Sequence, residues 1–193
     1  MNFEILYTII YSYLLGSIPF GLILTKLFLD KDLRDVGSGN IGATNVLRTG
    51  KKILGVVTLV LDSLKAYLAV SITYIYLPNY IYLSTLICLL GHIFPIWLRF
   101  KGGKGIAVFL GVLFALSANL GIIFIVSWLI VFLLTKYASV PSLVSTSIIF
   151  FYSVYQEKSF ESIFFFIIFI IVIYTHRENI VRLKNNTENK INL

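Results

Sequence analysis

Long apolar runs separated by short polar segments dominate this chain of 193 residues. A helix needs about 20 mainly apolar residues to cross a bilayer, so runs of this kind predict membrane-spanning helices. The run at 106–135 is too long for one span and is interrupted at Ser117, and we interpret it as two short helices that fold back there. The other runs that predict spans are residues 3–29, 53–77, 81–98, 140–155 and 162–174. The pattern therefore predicts about seven transmembrane helices, some of them short.

Composition is typical of a polytopic membrane protein. Hydrophobic residues make up 58% of the chain and charged residues 13%, and the mean hydropathy is +0.90, outside the range of soluble globular domains. We therefore expect one all-α integral membrane domain over residues 1–193. The single cysteine, Cys88, lies in an apolar run, which excludes a disulfide framework and predicts a small buried side chain.

Basic residues fall almost entirely on one side of the predicted topology. Cytoplasmic loops carry an excess of Lys and Arg, and the loops after spans one, three, five and seven hold 14 of the 16 basic residues. These are Lys26, Lys31, Arg34, Arg48, Lys51, Lys52, Arg99, Lys101, Lys104, Lys136, Arg177, Arg182, Lys184 and Lys190. The opposite side has only Lys158, and Lys65 lies inside a span. The N-terminus is therefore predicted outside and the C-terminus in the cytoplasm, and the net charge of +7 indicates sidedness rather than a nucleic-acid partner.

The segment GSGNIGATNVLR, residues 37–48, is polar and rich in glycine within this apolar chain. Unpaired polar groups cost several kcal/mol in hydrocarbon, so we expect the segment to face water or a polar ligand. Its glycines let backbone amides approach an anion, and a helix beginning near Thr44 would direct its positive end there. Arg48 could bind a phosphate through two hydrogen bonds. The further candidates are Gly37, Ser38, Gly39, Asn40, Gly42 and Asn45.

Two nucleotide-binding motifs and one purely structural turn are the alternatives for this segment. The spacing Gly37-x-Gly39-x-x-Gly42 matches a dinucleotide-binding fingerprint, but that fingerprint needs a preceding strand, and here a membrane span and a charged stretch precede it. A nucleotide-binding P-loop would need a lysine where Ala43 stands. A capped interfacial turn, with Ser38 or Asn40 as N-cap, stays open as a purely structural alternative.

A second basic and glycine-rich segment is RFKGGKG, residues 99–105. Glycines on both sides of Lys104 predict a flexible anion-binding nest that contains a positive charge, and a basic turn at the end of a span is the alternative. The glycines are Gly102, Gly103 and Gly105. His92, about two helical turns earlier, is expected within the membrane, either hydrogen-bonded as structure or lining a polar cavity.

Further polar candidates lie in or next to the predicted spans. Asp62 and Lys65 share a helix face at i and i+3, where they either join helices or line a polar cavity. After the last span, the segment THRENIVRLKNNTENK places His176, Asn179 and Arg182 on one side of a helix, and His176 is a candidate acid or base. A tail that binds anionic lipid is the alternative. Ser139 and Ser142 are weaker candidates for phosphate donors.

The three polar segments all fall on the predicted cytoplasmic side, where they can converge on one site. Motifs for a serine nucleophile, a zinc hydrolase or a cysteine pair do not occur in the sequence. Neither a metal nor a cofactor is therefore expected. Anion-binding segments without a nucleophile suggest that two phosphate-bearing substrates are brought together.

Three stretches carry a family resemblance. They are DLRDVGSGNIGATNVLR at 32–48, GHIFPIWLRFKGGKGIA at 91–107 and HRENIVRL at 176–183. They closely resemble the motifs of the bacterial acyl-phosphate:glycerol-3-phosphate acyltransferases. The resemblance implies a seven-span membrane enzyme that transfers a fatty acyl group from acyl phosphate to the 1-hydroxyl of glycerol 3-phosphate. The products would be lysophosphatidic acid and phosphate, in the first step of phospholipid synthesis.

The same resemblance implies residue roles. Ser38 and Arg48 would be essential, Lys104 with its flanking glycines would hold the phosphate of glycerol 3-phosphate, and His176 and Asn179 would support activity. Glu188 resembles a glutamate of structural importance. The chain departs from the family pattern at Thr175 and at residues 184–186, where the family has an arginine and a glycine-containing turn, which affects the expected geometry of the tail.

The remaining expectations concern location and partners. We expect a monomer in the bacterial inner membrane, with the site facing the cytoplasm and a functional link to the enzyme that makes acyl phosphate. A transporter or channel for a phosphorylated small molecule is the main alternative, because anion nests at span ends also serve transport. The chain shows no internal repeat, which many transporters have.

Overall fold

The computed structural model describes residues 3–191, and their secondary structure is helical throughout, with no strand among them. The α-helices are α1 (Phe3–Gly16), α2 (Phe20–Leu29), α3 (Ala43–Leu47), α4 (Lys52–Tyr76), α5 (Ile81–Ile93), α6 (Ile106–Leu116), α7 (Ala118–Thr135), α8 (Ser139–Tyr155), α9 (Ser159–Thr175) and α10 (Arg177–Lys184). Short 3-10 helices cover Leu33–Asp35, Pro78–Tyr80 and Ile96–Leu98. The predicted all-α architecture is confirmed, and each predicted span coincides with helix.

The helices form two compact units that divide between Leu116 and Ser117. In the first unit α4 is the central element and packs against α1, α2, α5 and α6. Its buried face consists of small and polar residues, which let neighbouring backbones approach closely. They are Gly55, Thr58, Asp62, Lys65, Ala66, Ala69, Val70 and Thr73. At Gly111 of α6, a Cβ would overlap the backbone of Ser63, so this crossing requires glycine.

Pro19 separates α1 from α2. Proline has no N–H to donate and disfavours helical geometry in the residue before it, so the apolar run is a broken span rather than one continuous helix. The carbonyl of Ile18, at this break, accepts hydrogen bonds from the Phe20 N–H at 3.2 Å and from Lys65 Nζ at 2.6 Å. The buried Lys65 ammonium group thus bonds directly to the backbone at the break.

In the second unit α8 packs against both α7 and α9. The ring of Trp128 stacks on Phe132 with centroids 5.1 Å apart, and its indole N–H donates to Ser142 Oγ at 3.2 Å. Between α9 and α10 the chain bends by 59°. This bend places His176 at the start of α10, after the last apolar helix.

Among residues 3–191, four segments are long and apolar enough to cross a membrane, and α9 with α10 makes a fifth if the bent pair is one span. The first four are Phe3–Leu29, Lys52–Tyr76, Pro78–Leu98 and Ala118–Thr135. The break at Ser117 is confirmed, although α7 with 18 residues is not the short helix predicted there. α6 has 11 residues, roughly 16 Å of helix against a hydrocarbon core of about 30 Å. The count of seven crossings and their orientation stay predictions.

Candidate functional site

The first polar segment is a loop shaped by one buried side chain. Asn45 is 2% exposed, and its Oδ1 accepts a hydrogen bond from the Ser38 N–H at 3.0 Å. Its amide nitrogen donates to the carbonyls of Leu33 at 3.1 Å and Val36 at 2.8 Å. Asn45 was predicted to donate to a ligand, but its amide hydrogens are directed to the loop's own backbone. Asn45 therefore holds the backbone of Ser38 in position.

Gly37 and Arg48 are packed against each other in this loop. Gly37 has φ +56°, and a Cβ there would lie 2.5 Å from Asn45 Oδ1 and 2.9 Å from Arg48 Cδ. Both the backbone conformation and the space thus require glycine. The aliphatic stem of Arg48 crosses Gly37, next to the exposed Ser38. The structure brings the two residues with the strongest sequence expectation to the same loop.

Charged residues in and just before this segment are of two kinds, those in an ion pair and one without an ion pair. Arg34 bonds to Asp32 at 2.6 Å, and these hydrogen bonds from Arg34 lower the pKa of Asp32 to about 2. Within residues 3–191, Arg48 forms no ion pair. It is the arginine of the segment that remains available for an anion.

The helix after this loop differs from the expectation. α3 begins at Ala43, close to the predicted position, but has only five residues. A single turn has too few aligned peptide units for a substantial dipole, so the predicted helix-dipole contribution is not supported. The N-cap is Gly42, so the alternative with Ser38 or Asn40 as N-cap is wrong. Asn40 instead accepts the Gly42 N–H at 2.9 Å and tightens the turn.

The second segment is fastened to the end of α5. The N–H of Gly102 donates to the Ile93 carbonyl at 3.0 Å, and the N–H of Gly103 donates to the His92 carbonyl at 3.0 Å. These two amides are therefore not available to an anion, and the predicted nest is wrong for them. Lys104, one of three basic residues in the segment, follows this anchored pair directly.

The two segments meet in one small apolar cluster. Leu98, next to the second segment, packs with Ile41 and Val46 of the first and with Leu33, which precedes the first. Leu33 and Val46 are completely buried and Ile41 is nearly so. The residue that precedes the second segment is therefore packed against the first segment within the first unit, while convergence of the two segments on one site stays a prediction. The third segment belongs to the second unit, and its convergence with them stays a prediction.

A buried polar cluster lies behind the second segment. Lys65 Nζ donates to Asp62 Oδ1 at 2.7 Å and contacts His92 Nδ1 at 3.1 Å. All three side chains are at most 4% exposed. The pair and the histidine are separate candidates in the sequence, and the structure joins them. The carbonyl of Ile18 was not predicted as a partner, although the helix break that Pro19 predicts is a signal for a backbone acceptor at that point.

In the second unit the polar residues converge on Glu188. One carboxylate oxygen, Oε1, accepts from Ser139 Oγ at 3.0 Å and from Asn179 Nδ2 at 2.6 Å. The other, Oε2, accepts from Arg182 Nε at 2.7 Å. This arrangement connects the start of α8, α10 and the chain after it. It fits the structural role implied for Glu188, while substrate binding by Ser139 and Arg182 and the activity role of Asn179 stay predictions.

The charge state of Glu188 makes this connection dependent on pH. Burial alone raises the pKa of Glu188, but the hydrogen bonds from Arg182, Asn179 and Ser139 outweigh it and hold the pKa below the ordinary value of 4.5. A carboxylate with a lowered pKa stabilises the fold above its unfolded pKa and loses this contribution as pH falls through the folded value.

We expect Glu188→Gln to lower the unfolding temperature at neutral pH. The variant should also lose less stability than the native protein on acidification below about pH 4.5. The measurement is thermal unfolding in detergent between pH 3 and pH 7. Glu157→Gln, at an exposed turn residue, is the matched control. Parallel pH profiles for the Glu188 variant and the native protein would contradict the assignment.

His176 lies at the bend between α9 and α10 and is 3% exposed. Its Nδ1 lies 2.9 Å from the carbonyl of Val172. Because a carbonyl can only accept, Nδ1 carries the proton, and Nε2 of the neutral ring is the basic atom. A neutral imidazole in this tautomer can accept a proton at Nε2. Elsewhere in the second unit, the Ser142 hydroxyl, also a candidate phosphate donor, donates to the Ala138 carbonyl at 2.7 Å.

The chain is similar to known proteins along nearly its whole length. Residues 6–186 match the family model described as glycerol-3-phosphate acyltransferase. A relative of that name from Pelagibacter ubique is 54% identical over 187 residues, covering 97% of each chain. One from Bradyrhizobium diazoefficiens is 45% identical, covering 95% of this chain and 93% of its own.

Solved structures agree with the sequence relatives. The crystal structure of PlsY (YgiH), an integral membrane glycerol 3-phosphate acyltransferase in its glycerol 3-phosphate form, superposes with a TM-score of 0.91 at 38% identity, covering 97% of this chain and 96% of that one. Its lysophosphatidic acid form gives a TM-score of 0.87 at 36% identity, with coverage of 97% and 95%.

Proposed function

Because this chain belongs to the glycerol-3-phosphate acyltransferase family of integral membrane proteins, we propose that it transfers a fatty acyl group from an acyl phosphate to sn-glycerol 3-phosphate. The products are lysophosphatidic acid and inorganic phosphate. Relatives are named for glycerol 3-phosphate, and one similar crystal structure is a lysophosphatidic acid form. The acyl phosphate donor rests on the resemblance of the three motifs and on the absence of a nucleophile motif.

The packing of two anion-suited loops in one cluster carries this proposal. Leu98 and Leu33 share that cluster, so the loop that presents Ser38 and Arg48 is a neighbour of the segment that contains Lys104. Both substrates bear phosphate groups, and the two cations and one hydroxyl suit them. We assign Arg48 and Ser38 to phosphate binding and charge stabilisation, and Lys104 to the phosphate of glycerol 3-phosphate.

The reaction needs no covalent enzyme intermediate. The 1-hydroxyl oxygen of glycerol 3-phosphate attacks the acyl carbonyl carbon, a new ester C–O bond forms, and the bond between that carbon and the phosphate oxygen breaks. Phosphate is a good leaving group, so positioning and charge stabilisation supply most of the rate. The hydroxyl proton passes either to Nε2 of His176 or to an oxygen of the leaving phosphate.

Replacement of His176 by alanine distinguishes these two proton acceptors. If the histidine is the base, we expect kcat to fall by about 10²-fold or more and to lose its acidic limb between about pH 5 and pH 8. The measurement is the pH profile of kcat with saturating substrates. Near-normal turnover would assign the proton to the donor phosphate.

The remaining parts of the proposal concern the protein in its membrane. We propose a monomer in the bacterial inner membrane, with seven crossings, one functional domain and the phosphate-binding loops facing the cytoplasm. The distribution of Lys and Arg supports this orientation. The apolar helices would keep the acyl chain in the bilayer and let the product leave into lipid.

The decisive experiment uses the purified protein in detergent or liposomes. With radiolabelled glycerol 3-phosphate and palmitoyl phosphate, labelled lysophosphatidic acid is expected, and palmitoyl-CoA in place of the acyl phosphate should give none. Label that only crosses a proteoliposome membrane would support a transporter instead. Product from the thioester alone would overturn the assigned donor.

A further inference from the structure

The buried cluster of Asp62, Lys65 and His92 is placed to control the loop that carries Lys104. We propose that His92, held by Lys65 and Asp62, is a positioning residue that fixes this loop, and with it the affinity for glycerol 3-phosphate. The inference rests on the proposed function, since it takes Lys104 as the phosphate ligand. Its basis is the hydrogen-bond geometry of Lys65 and the space around Gly103.

Lys65 has a full set of acceptors. Its ammonium group offers three N–H donors, and three acceptors surround it, namely the Ile18 carbonyl at 2.6 Å, Asp62 Oδ1 at 2.7 Å and His92 Nδ1 at 3.1 Å. An ammonium group can only donate, so Nδ1 of His92 accepts and the ring proton is on Nε2. The orientation of the imidazole is therefore set by a charged group that is itself held at two other points.

The opposite edge of the His92 ring lies against Gly103. A Cβ at this glycine would overlap Nε2 and lie 2.8 Å from Cε1 and 3.0 Å from Cδ2 of the same ring. The neighbours nearest to such a Cβ all belong to His92. Because Lys65 anchors the ring at Nδ1, the imidazole cannot swing away to make room. The ring thus sets how closely the loop approaches α5.

Backbone hydrogen bonds reinforce the same arrangement. The N–H of Gly103 donates to the carbonyl of His92 itself at 3.0 Å, so ring and backbone of one residue both contact the glycine before Lys104. A displacement of Gly103 moves the Lys104 backbone with it. If Lys104 binds the substrate phosphate equally in the ground state and the transition state, its displacement raises KM and leaves kcat nearly unchanged.

The test makes the side chain at position 92 smaller and the side chain at position 103 larger, separately and together. In His92→Asn the amide oxygen can still accept from Lys65, while the part of the ring below Gly103 is removed. In Gly103→Ala the new methyl group meets the ring. We expect each single variant to raise KM for glycerol 3-phosphate by about tenfold with kcat within about threefold. The double variant should return to within about threefold of native KM, because the methyl group fills the space that the ring left.

Gly102 supplies the matched control. A Cβ there would meet Pro95 Cδ at 2.5 Å and the Ile93 carbonyl at 2.7 Å, together with the backbone carbonyl of His92. Removing the ring leaves all of these in place, so His92→Asn should not rescue Gly102→Ala. Recovery specific to position 103 separates loop positioning from a general structural role. His92→Ala permits the same comparison if the asparagine variant does not fold.

Each outcome has a defined meaning. With an active native enzyme, either of two results overturns the inference. One is an unchanged KM for glycerol 3-phosphate in His92→Asn, and the other is a double variant whose KM is as high as that of Gly103→Ala alone. Rescue of Gly102→Ala by the same substitution also overturns it. A native protein that forms no lysophosphatidic acid from palmitoyl phosphate overturns the proposed function, and this inference with it.

Discussion

Arg48→Ala is expected to lower kcat/KM by about a thousandfold while the protein remains folded in the membrane. Loss of one preorganised donor to a developing negative charge typically reduces kcat by about 10²–10³-fold, and here a full charge is lost as well. The side chain has no ion-pair partner within the described chain, so its removal leaves no carboxylate unpaired. Steady-state kinetics and thermal unfolding of the same preparation measure the two effects.

Lys52→Ala controls for the loss of positive charge. Lys52 is exposed in the first turn of α4, on the side that is predicted to be cytoplasmic, and we expect near-native kinetics from this variant. Ser38→Ala should resemble Arg48→Ala, since its hydroxyl is on the same loop. Normal kcat/KM in the Arg48 variant would remove the first polar segment from the proposed site.

Lys65→Met is expected to have the largest effect on stability. The ammonium group is buried and bonded to Asp62, His92 and the Ile18 carbonyl. Removing one partner of a buried ion pair leaves an uncompensated charge and costs about 3–5 kcal/mol. We expect a large decrease in the unfolding temperature in detergent, together with a low yield of folded protein.

Two variants test the electrostatic cause of that loss. Asp62→Asn combined with Lys65→Met removes the unpaired charge and should recover part of the stability. Lys26→Met breaks an exposed pair with Asp30 that has a similar N–O distance, 3.1 Å, and exposed pairs contribute little. A large effect from Lys26→Met, or no recovery in the double variant, would contradict this account.

Several features of the fold were predictable because they depend on local sequence. Apolar runs of spanning length gave the positions of the helices, since hydrocarbon admits only backbone that bonds to itself. The break at Ser117 appeared as a polar interruption in one long run. The spacing of Asp62 and Lys65 placed both on one helix face, and the structure shows them bonded to each other at 2.7 Å.

Other features depend on partners far away along the chain. Glu188 and Ser139 are separated by 49 residues, and Lys65 and His92 by 27. Neither contact has a periodicity that a window of sequence can show. The shape of the first loop depends on Asn45, which was predicted to face a ligand and instead bonds to backbone groups of the loop.

The sequence by itself determined the all-helical membrane architecture, the family and the segments that carry the candidate chemistry. Only the tertiary structure decided what those residues contact. Many of the partners are backbone groups, such as the carbonyls of Ile18, Leu33, His92 and Ile93. Every residue has a carbonyl group, so residue type carries no signal for which of them will accept. The glycines at 102 and 103 were thus recognisable as a loop from the sequence, but their attachment to α5 became visible only when the helix and the loop were packed together.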